Sequence, residues 1–127
     1  MKILVTGYKG FIGSKLFSEL KKTNFEVHGI DLKDGENIID CLPEENFDYV
    51  FHFAALPRVG YSVENPSYTF KQNAYATSVL LEWSRKHNVK RFIFSSSSAV
   101  TGLDGTPNSP YGLHKLISEQ ECKLYSD

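Results

Sequence analysis

The sequence predicts an α/β protein built on an open, doubly wound parallel sheet. Three observations predict it. Short continuous apolar runs alternate with longer segments whose apolar residues recur at helical spacing. Three glycines link the first apolar run to the first helical segment. The polar clusters Thr6-Gly7, Asp31, His52-Phe53-Ala54-Ala55 and Ser95 to Ser98 all fall at the ends of predicted strands, where ligands of such sheets bind.

The elements follow in order. Ile3-Leu4-Val5 is a short apolar run ending in Thr-Gly, the pattern of a strand buried on both faces. Phe11, Ile12, Leu16, Phe17 and Leu20 then recur at helical spacing through Lys22. Val27 to Ile30 reads as the second strand, ending at Asp31, and Ile38-Ile39 as a very short third. Tyr49 to Phe53 is a buried strand. Pro66 opens a helix to about His87, with Asn65 as its N-cap and the proline in the first turn. Arg91 to Ser95 is the last strand, and Ser109-Pro110 starts a helix to about Tyr125 in the same cap-plus-proline manner. Right-handed crossovers between these strands wind the sheet in both directions. Trp83 and the strand aromatics are expected in the core, His52 as a strand-end packing residue, and His114 at the solvent surface.

Composition narrows the function classes. The 127 residues carry 14 Lys+Arg against 15 Asp+Glu, a formal net charge of −1, without the basic excess of a nucleic-acid module. With 41% hydrophobic and 23% charged residues the chain is a foldable globular domain, expected to be one domain over residues 1–127 with no separate substrate domain. No apolar run approaches the ~18 residues of a membrane span, and Met1 to Val5 gives way at once to Thr6-Gly7 instead of a signal-peptide core. Cys41 and Cys122 are too few for a disulfide framework or a zinc site, so a cytoplasmic protein with two free thiols is expected.

The glycine segment Thr6-Gly7-Tyr8-Lys9-Gly10-Phe11-Ile12-Gly13 carries the first chemical signal. Glycine permits the tight turn, lets backbone approach a diphosphate, and lets the helix pack on the strand. The helix N-terminus then offers N–H groups and partial positive charge to the anion. Asp31 ends the second strand, where a carboxylate accepts hydrogen bonds from an adenosine ribose and repels a 2′-phosphate. That favours NAD over NADP, although Lys33 nearby softens the preference. Asp40 either caps a loop or touches the adenine.

Tyr111-Gly112-Leu113-His114-Lys115 places a phenol and an ammonium on one helical face at i, i+4. A free tyrosine, with a pKa near ~10, is a poor base at neutral pH. A neighbouring ammonium favours its phenolate form.

With these motifs in place the sequence resembles the extended short-chain dehydrogenase/reductase family, the NAD-dependent epimerase/dehydratases of sugar nucleotides. The resemblance rests on the glycine loop, Asp31, His52-Phe53-Ala54-Ala55, Asn73, Arg91 through Gly102 and Tyr111-x-x-x-Lys115. It implies a Rossmann fold, here truncated after the YxxxK helix. The segment Ala55 to Pro66 is similar to the UDP-hexose 4-epimerase branch. The family pattern implies Tyr111 as general base, Lys115 as its partner and ribose holder, and Ser97 as the hydrogen-bond donor to the reacting oxygen. Ser96 and Ser98 leave that register open by one. Asn73 matches a helix asparagine that supports the active site. For the cofactor it implies Gly7, Gly10, Phe11, Ile12 and Gly13, then Asp31, Leu32, Asp40 and Cys41, then Phe53, Ala54, Ala55 and Arg58, with Tyr111 and Lys115. Arg58 is either a basic group near the cofactor or a solvated loop residue.

The sequence departs from the family at three points. Relatives of this type are more than twice as long. The loop over residues 103–110 is short. Thr101 replaces the usual tyrosine before Gly102. No acid pair accompanies the serine motif, which leans toward an epimerase and away from a dehydratase. Strand 91–95 becomes a sheet edge in a chain that stops here, so a homodimer or higher homo-oligomer is expected. A nucleotide sugar, a UDP-hexose, is the expected substrate, with no nucleic-acid or membrane partner. Beside the enzyme stand two other readings: a non-catalytic NAD-binding module or subunit, and a fragment needing a C-terminal half.

Overall fold

The computed structural model describes residues 1–126. Its elements are β1 (Lys2–Thr6), α1 (Phe11–Lys21), β2 (Glu26–Ile30), β3 (Tyr49–His52), α2 (Val59–Glu64), α3 (Pro66–Phe70), α4 (Ala76–Lys86), β4 (Arg91–Phe94) and α5 (Pro110–Ser126). Short 3-10 turns cover Leu32–Asp34 and Ser98–Val100, and a π-helical turn covers Lys71–Tyr75. The four strands are parallel in the order β2-β1-β3-β4. The chain therefore winds one way from β1 to β2 and the other way to β3 and β4, which is the expected α/β, Rossmann-like arrangement. The switch of direction lies between β1 and β3, the place where such sheets bind ligands.

The residues form two compact units, Met1–Ala54 with Glu82–Ser95, and Ala55–Leu81 with the segment from Ser96 onward. The first unit contains the whole sheet. On one sheet face Ile3, Val5 and Val27 pack with Tyr8, Phe17, Leu20, Phe25, Tyr49, Phe51 and Phe53. Leu4 and Val50 are fully buried as well, so β1 is covered on both sides as its continuous apolar run requires. Trp83 is buried, donates its indole N–H to the Pro43 carbonyl at 2.9 Å and packs beside Phe47. His52 is buried at the end of β3 with Nδ1 2.6 Å from the Thr6 hydroxyl, the packing role expected of it. In the second unit α5 packs against α2, α3 and the π turn.

The structure corrects four expectations. Ile38-Ile39 is a turn and not a strand. The Asn37 side chain accepts from Ile39 N, and the Asn37 carbonyl accepts from Asp40 N and Cys41 N, so the backbone groups a strand would pair are used locally. The helix expected over 66–87 is preceded by α2 and interrupted by the π turn. Val59, Tyr61 and Val63 alternate as in a strand, yet all three are exposed and the helix turns its buried Ser62 inward. Asn65 does precede the helix, with the Thr69 N–H on its carbonyl at 3.0 Å, but its side chain makes no cap. His114 is buried and not solvent-facing: its ring meets the edge of Phe70, and Nδ1 has no hydrogen-bond partner among the described residues. Burial pushes its pKa below the ordinary histidine value.

β4 lies at the edge of the sheet, as expected for strand 91–95. Among the described residues no helix is long and apolar enough to cross a membrane. Cys41 and Cys122 are free thiols.

Candidate active site

In the first unit the glycine loop is shaped by close backbone approach. Gly7 has φ +71°, and a Cβ there would sit 2.6 Å from Ala54 N. A Cβ on Gly13 would sit 2.1 Å from the Gly7 carbonyl oxygen. Both positions therefore exclude any side chain, leaving a bare backbone cradle at the start of α1. Gly10 is the N-cap of α1 in extended conformation, so the first N–H groups, from Phe11 onward, have no intrahelical acceptor. Phe11 and Ile12 themselves are exposed. Phe53 and Ala54 follow β3, with Phe53 N donating to the Thr6 carbonyl at 3.1 Å.

Asp31 is buried beside this loop. Its Oδ2 accepts from Lys9 N at 2.9 Å, and its Oδ1 accepts from Lys33 N at 2.9 Å. The first bond pins the glycine loop and the second caps the 3-10 turn. A carboxylate has about four lone-pair sites, so each oxygen keeps capacity for a ribose hydroxyl. Leu32 is exposed on the 3-10 turn. Asp40 and Cys41 are exposed, and their backbone N–H groups donate to the Asn37 carbonyl. The bare cradle, the free helix N-terminus and the poised carboxylate together fit a dinucleotide.

In the second unit Tyr111 and Lys115 are 8% and 5% exposed, one turn apart on α5. Burial pulls the Lys115 amine down from its usual 10.5 to about 8. The start of α5 is held from three sides. Ser109 Oγ accepts from Gly112 N at 3.1 Å, the cap the sequence predicts. The fully buried Ser62 hydroxyl accepts from Tyr111 N at 3.1 Å and donates to the Val59 carbonyl at 2.6 Å. A Cβ on Gly112 would lie 2.4 Å from the Ala99 carbonyl, so glycine lets the segment after the serine run touch the helix directly.

Asn73 lies buried in the π turn. Its Oδ1 accepts from Leu56 N at 2.7 Å and its Nδ2 donates to the Leu56 carbonyl at 3.0 Å, a two-point clasp on the segment after Ala55. The Asn73 carbonyl takes the Thr77 hydroxyl at 2.6 Å. Asn73 thus spends both ends of its amide on the Leu56 backbone. Ser97 Oγ accepts from Ala99 N at 3.1 Å and starts the 3-10 turn, while the exposed Ser96 bonds Glu119. Arg58 is exposed at the N-cap of α2. The sequence reading passed over Ser62 and Gly112. No local pattern marks them, because each acts on a distant backbone.

The family model described as NAD dependent epimerase/dehydratase family matches residues 3–127. The chain belongs to that family. Among curated relatives, UDP-glucose 4-epimerase 4 of Oryza sativa subsp. japonica is 31% identical over 95% of this chain and 44% of its own length. An uncharacterized UDP-glucose epimerase of Bacillus subtilis is 36% identical over 98% of this chain and 52% of its own. The chain thus spans about half the length of the curated relatives it matches. Among solved structures, the UDP-Glc/GlcNAc 4-epimerase of Campylobacter jejuni superposes with TM-score 0.88 at 29% identity, covering 98% of this chain and 49% of that one. MoeE5 in complex with UDP-glucose and NAD superposes with TM-score 0.86 at 33% identity, covering 99% and 49%. The epimerase/dehydratase family is NAD dependent by its own description, in agreement with the cofactor expected from Asp31.

Proposed function

We propose that this chain is the NAD-binding part of a sugar-nucleotide epimerase acting on a UDP-hexose. The observation that carries the reading is the Tyr111–Lys115 pair, buried one turn apart on a helix whose start is pinned by Ser62, Ser109 and Gly112. The 4-epimerase names of the relatives support the substrate class.

Each residue has a part that its chemistry suits. The Gly7–Gly13 cradle and the first turn of α1 hold the cofactor diphosphate, and Asp31 takes the adenosine ribose hydroxyls. Bound NAD supplies a hydride acceptor and donor. Tyr111 accepts the proton of the sugar hydroxyl and later returns it. Lys115 stabilises the phenolate charge and holds the nicotinamide ribose. Ser97 hydrogen-bonds the reacting oxygen, and Asn73 keeps the Leu56 segment in place. Domain 1–127 is taken as one cofactor-binding module, assembled as a homodimer or higher homo-oligomer.

The test combines binding and turnover. A ligand selective for the folded state raises the melting temperature as its concentration passes Kd. NAD should raise it clearly and NADP little. UDP-glucose and UDP-galactose should interconvert, and Tyr111→Phe should lower that rate by ~100-fold or more while keeping the NAD shift. Absence of any NAD shift would reject the reading. Because the chain spans about half its relatives' length, a second reading is an NAD-binding module that needs a further portion for turnover. An NAD shift without interconversion selects it.

A further inference from the structure

A charge cluster beside the glycine loop involves residues to which the function above gives no role. Tyr8 and Lys9 occupy the loop's two positions between Gly7 and Gly10. Both side chains reach the same carboxylate across the end of the sheet: Tyr8 donates its hydroxyl to Asp34 Oδ2 at 2.5 Å, and the Lys9 ammonium pairs with Asp34 Oδ1. Lys33 Nζ donates to the Lys9 carbonyl at 3.2 Å, and Asp31 holds Lys9 N. Two cations and two carboxylates therefore surround this end of the loop, and the loop's own ammonium, Lys9, is already engaged. The Lys9 ammonium, and after it the Tyr8 hydroxyl, keep the Asp34 carboxyl below its ordinary range, so Asp34 stays ionised at neutral pH.

We propose that Asp34 is a cofactor-specificity residue: by engaging Lys9 and Tyr8 it withholds the loop's ammonium from a 2′-phosphate, and so adds to Asp31 in selecting NAD over NADP. The physical argument is charge balance. A phosphate monoester carries about −1.5 to −2 charges at neutral pH and is captured by cations free to turn toward it. Here Asp31 and Asp34 balance Lys9 and Lys33, and the Lys9 ammonium is engaged by its pair with Asp34. Removing the Asp34 charge leaves one net positive charge at the loop and frees the Lys9 ammonium from its pair. Asp31 repels the phosphate directly, whereas Asp34 acts by occupying its would-be partner, so Asp34 is a positioning residue.

The proposal rests on the NAD-binding reading, and the experiment separates the two. Kd values for NAD and for NADP are measured by calorimetry on the wild-type protein, on Asp34→Asn, and on Asp34→Asn combined with Lys9→Met. Ligand-free melts confirm that each variant folds. In Asp34→Asn the ratio of the NADP Kd to the NAD Kd should fall by roughly 10-fold, mostly through tighter NADP binding. The gain should weaken with added salt and vanish when Lys9 is also replaced. Wild-type NAD binding with an unchanged ratio in folded Asp34→Asn overturns the proposal and leaves the NAD reading intact. A gain that survives Lys9→Met also overturns it. Binding of neither cofactor by the wild-type protein overturns both.

Discussion

Lys115 is a cation held at 5% exposure, and its environment makes a pH-dependent claim. Burial brings its amine down to about 8 in the folded protein against the usual 10.5. Between those values the unfolded chain binds the proton and the folded one has released it, so stability rises with pH across that window. Below about 8 both states are protonated and the full cost of the buried ammonium remains, on the order of 3 kcal/mol. Urea unfolding at pH 7 and pH 10 should therefore show a rise in the wild-type protein that Lys115→Met lacks. An identical slope in both would show that Lys115 titrates normally. The Tyr–Lys spacing itself was readable in the sequence, because i, i+4 on a helix is a local fact. The burial behind the low pKa was not, since it depends on what packs around α5. His114 shows the same limit: it sits beside Lys115 in sequence, reads as a surface residue, and is buried with Phe70 against its ring.

At the scale of elements, the π turn at Lys71–Tyr75 explains why a single helix over 66–87 was the wrong expectation. The apolar spacing through Phe70, Ala74, Thr77 and Leu81 runs on almost undisturbed across it. The widened turn instead suits Asn73, whose amide clasps both backbone groups of Leu56, and whose own carbonyl is taken by the Thr77 hydroxyl. Asn73→Ala leaves the Leu56 N–H and C=O without those partners. It should destabilise the protein by about 2–3 kcal/mol, read as a lower urea midpoint with an unchanged slope. A loss below about half a kcal/mol would show that water replaces the clasp. The strands, by contrast, were legible nearly to the residue. β1 is the clearest case, a short apolar run closed by Thr6-Gly7, and burial on both faces demands such a run. The exception, Ile38-Ile39, has the apolar pair but also an asparagine one residue earlier, whose side chain and carbonyl convert it to a turn.

For the whole molecule the prediction concerns assembly. β4 is a sheet edge, and unpaired strand edges are covered in native proteins by another strand, a helix or a loop. The homo-oligomer proposed above predicts self-association. Sedimentation equilibrium over a tenfold concentration range should give at least twice the 14.4 kDa chain mass. A monomer throughout would withdraw the homo-oligomer from the proposed function.

The identity of the strands, the glycine loop, the acidic residue after β2, the capped start of α5 and the Tyr–Lys pair were all encoded locally. Backbone sterics, periodicity and capping act within a few residues, so they leave their mark in the order of amino acids. Tertiary structure alone decided which distant groups those residues would meet. Asp31 uses one oxygen to grip the loop of Lys9, Asp34 gathers Tyr8 and Lys9, Ser62 supports Tyr111, and Gly112 admits Ala99. These contacts join segments far apart in the chain. Their existence depends on how closely folded backbones approach, a quantity that no short stretch of sequence contains.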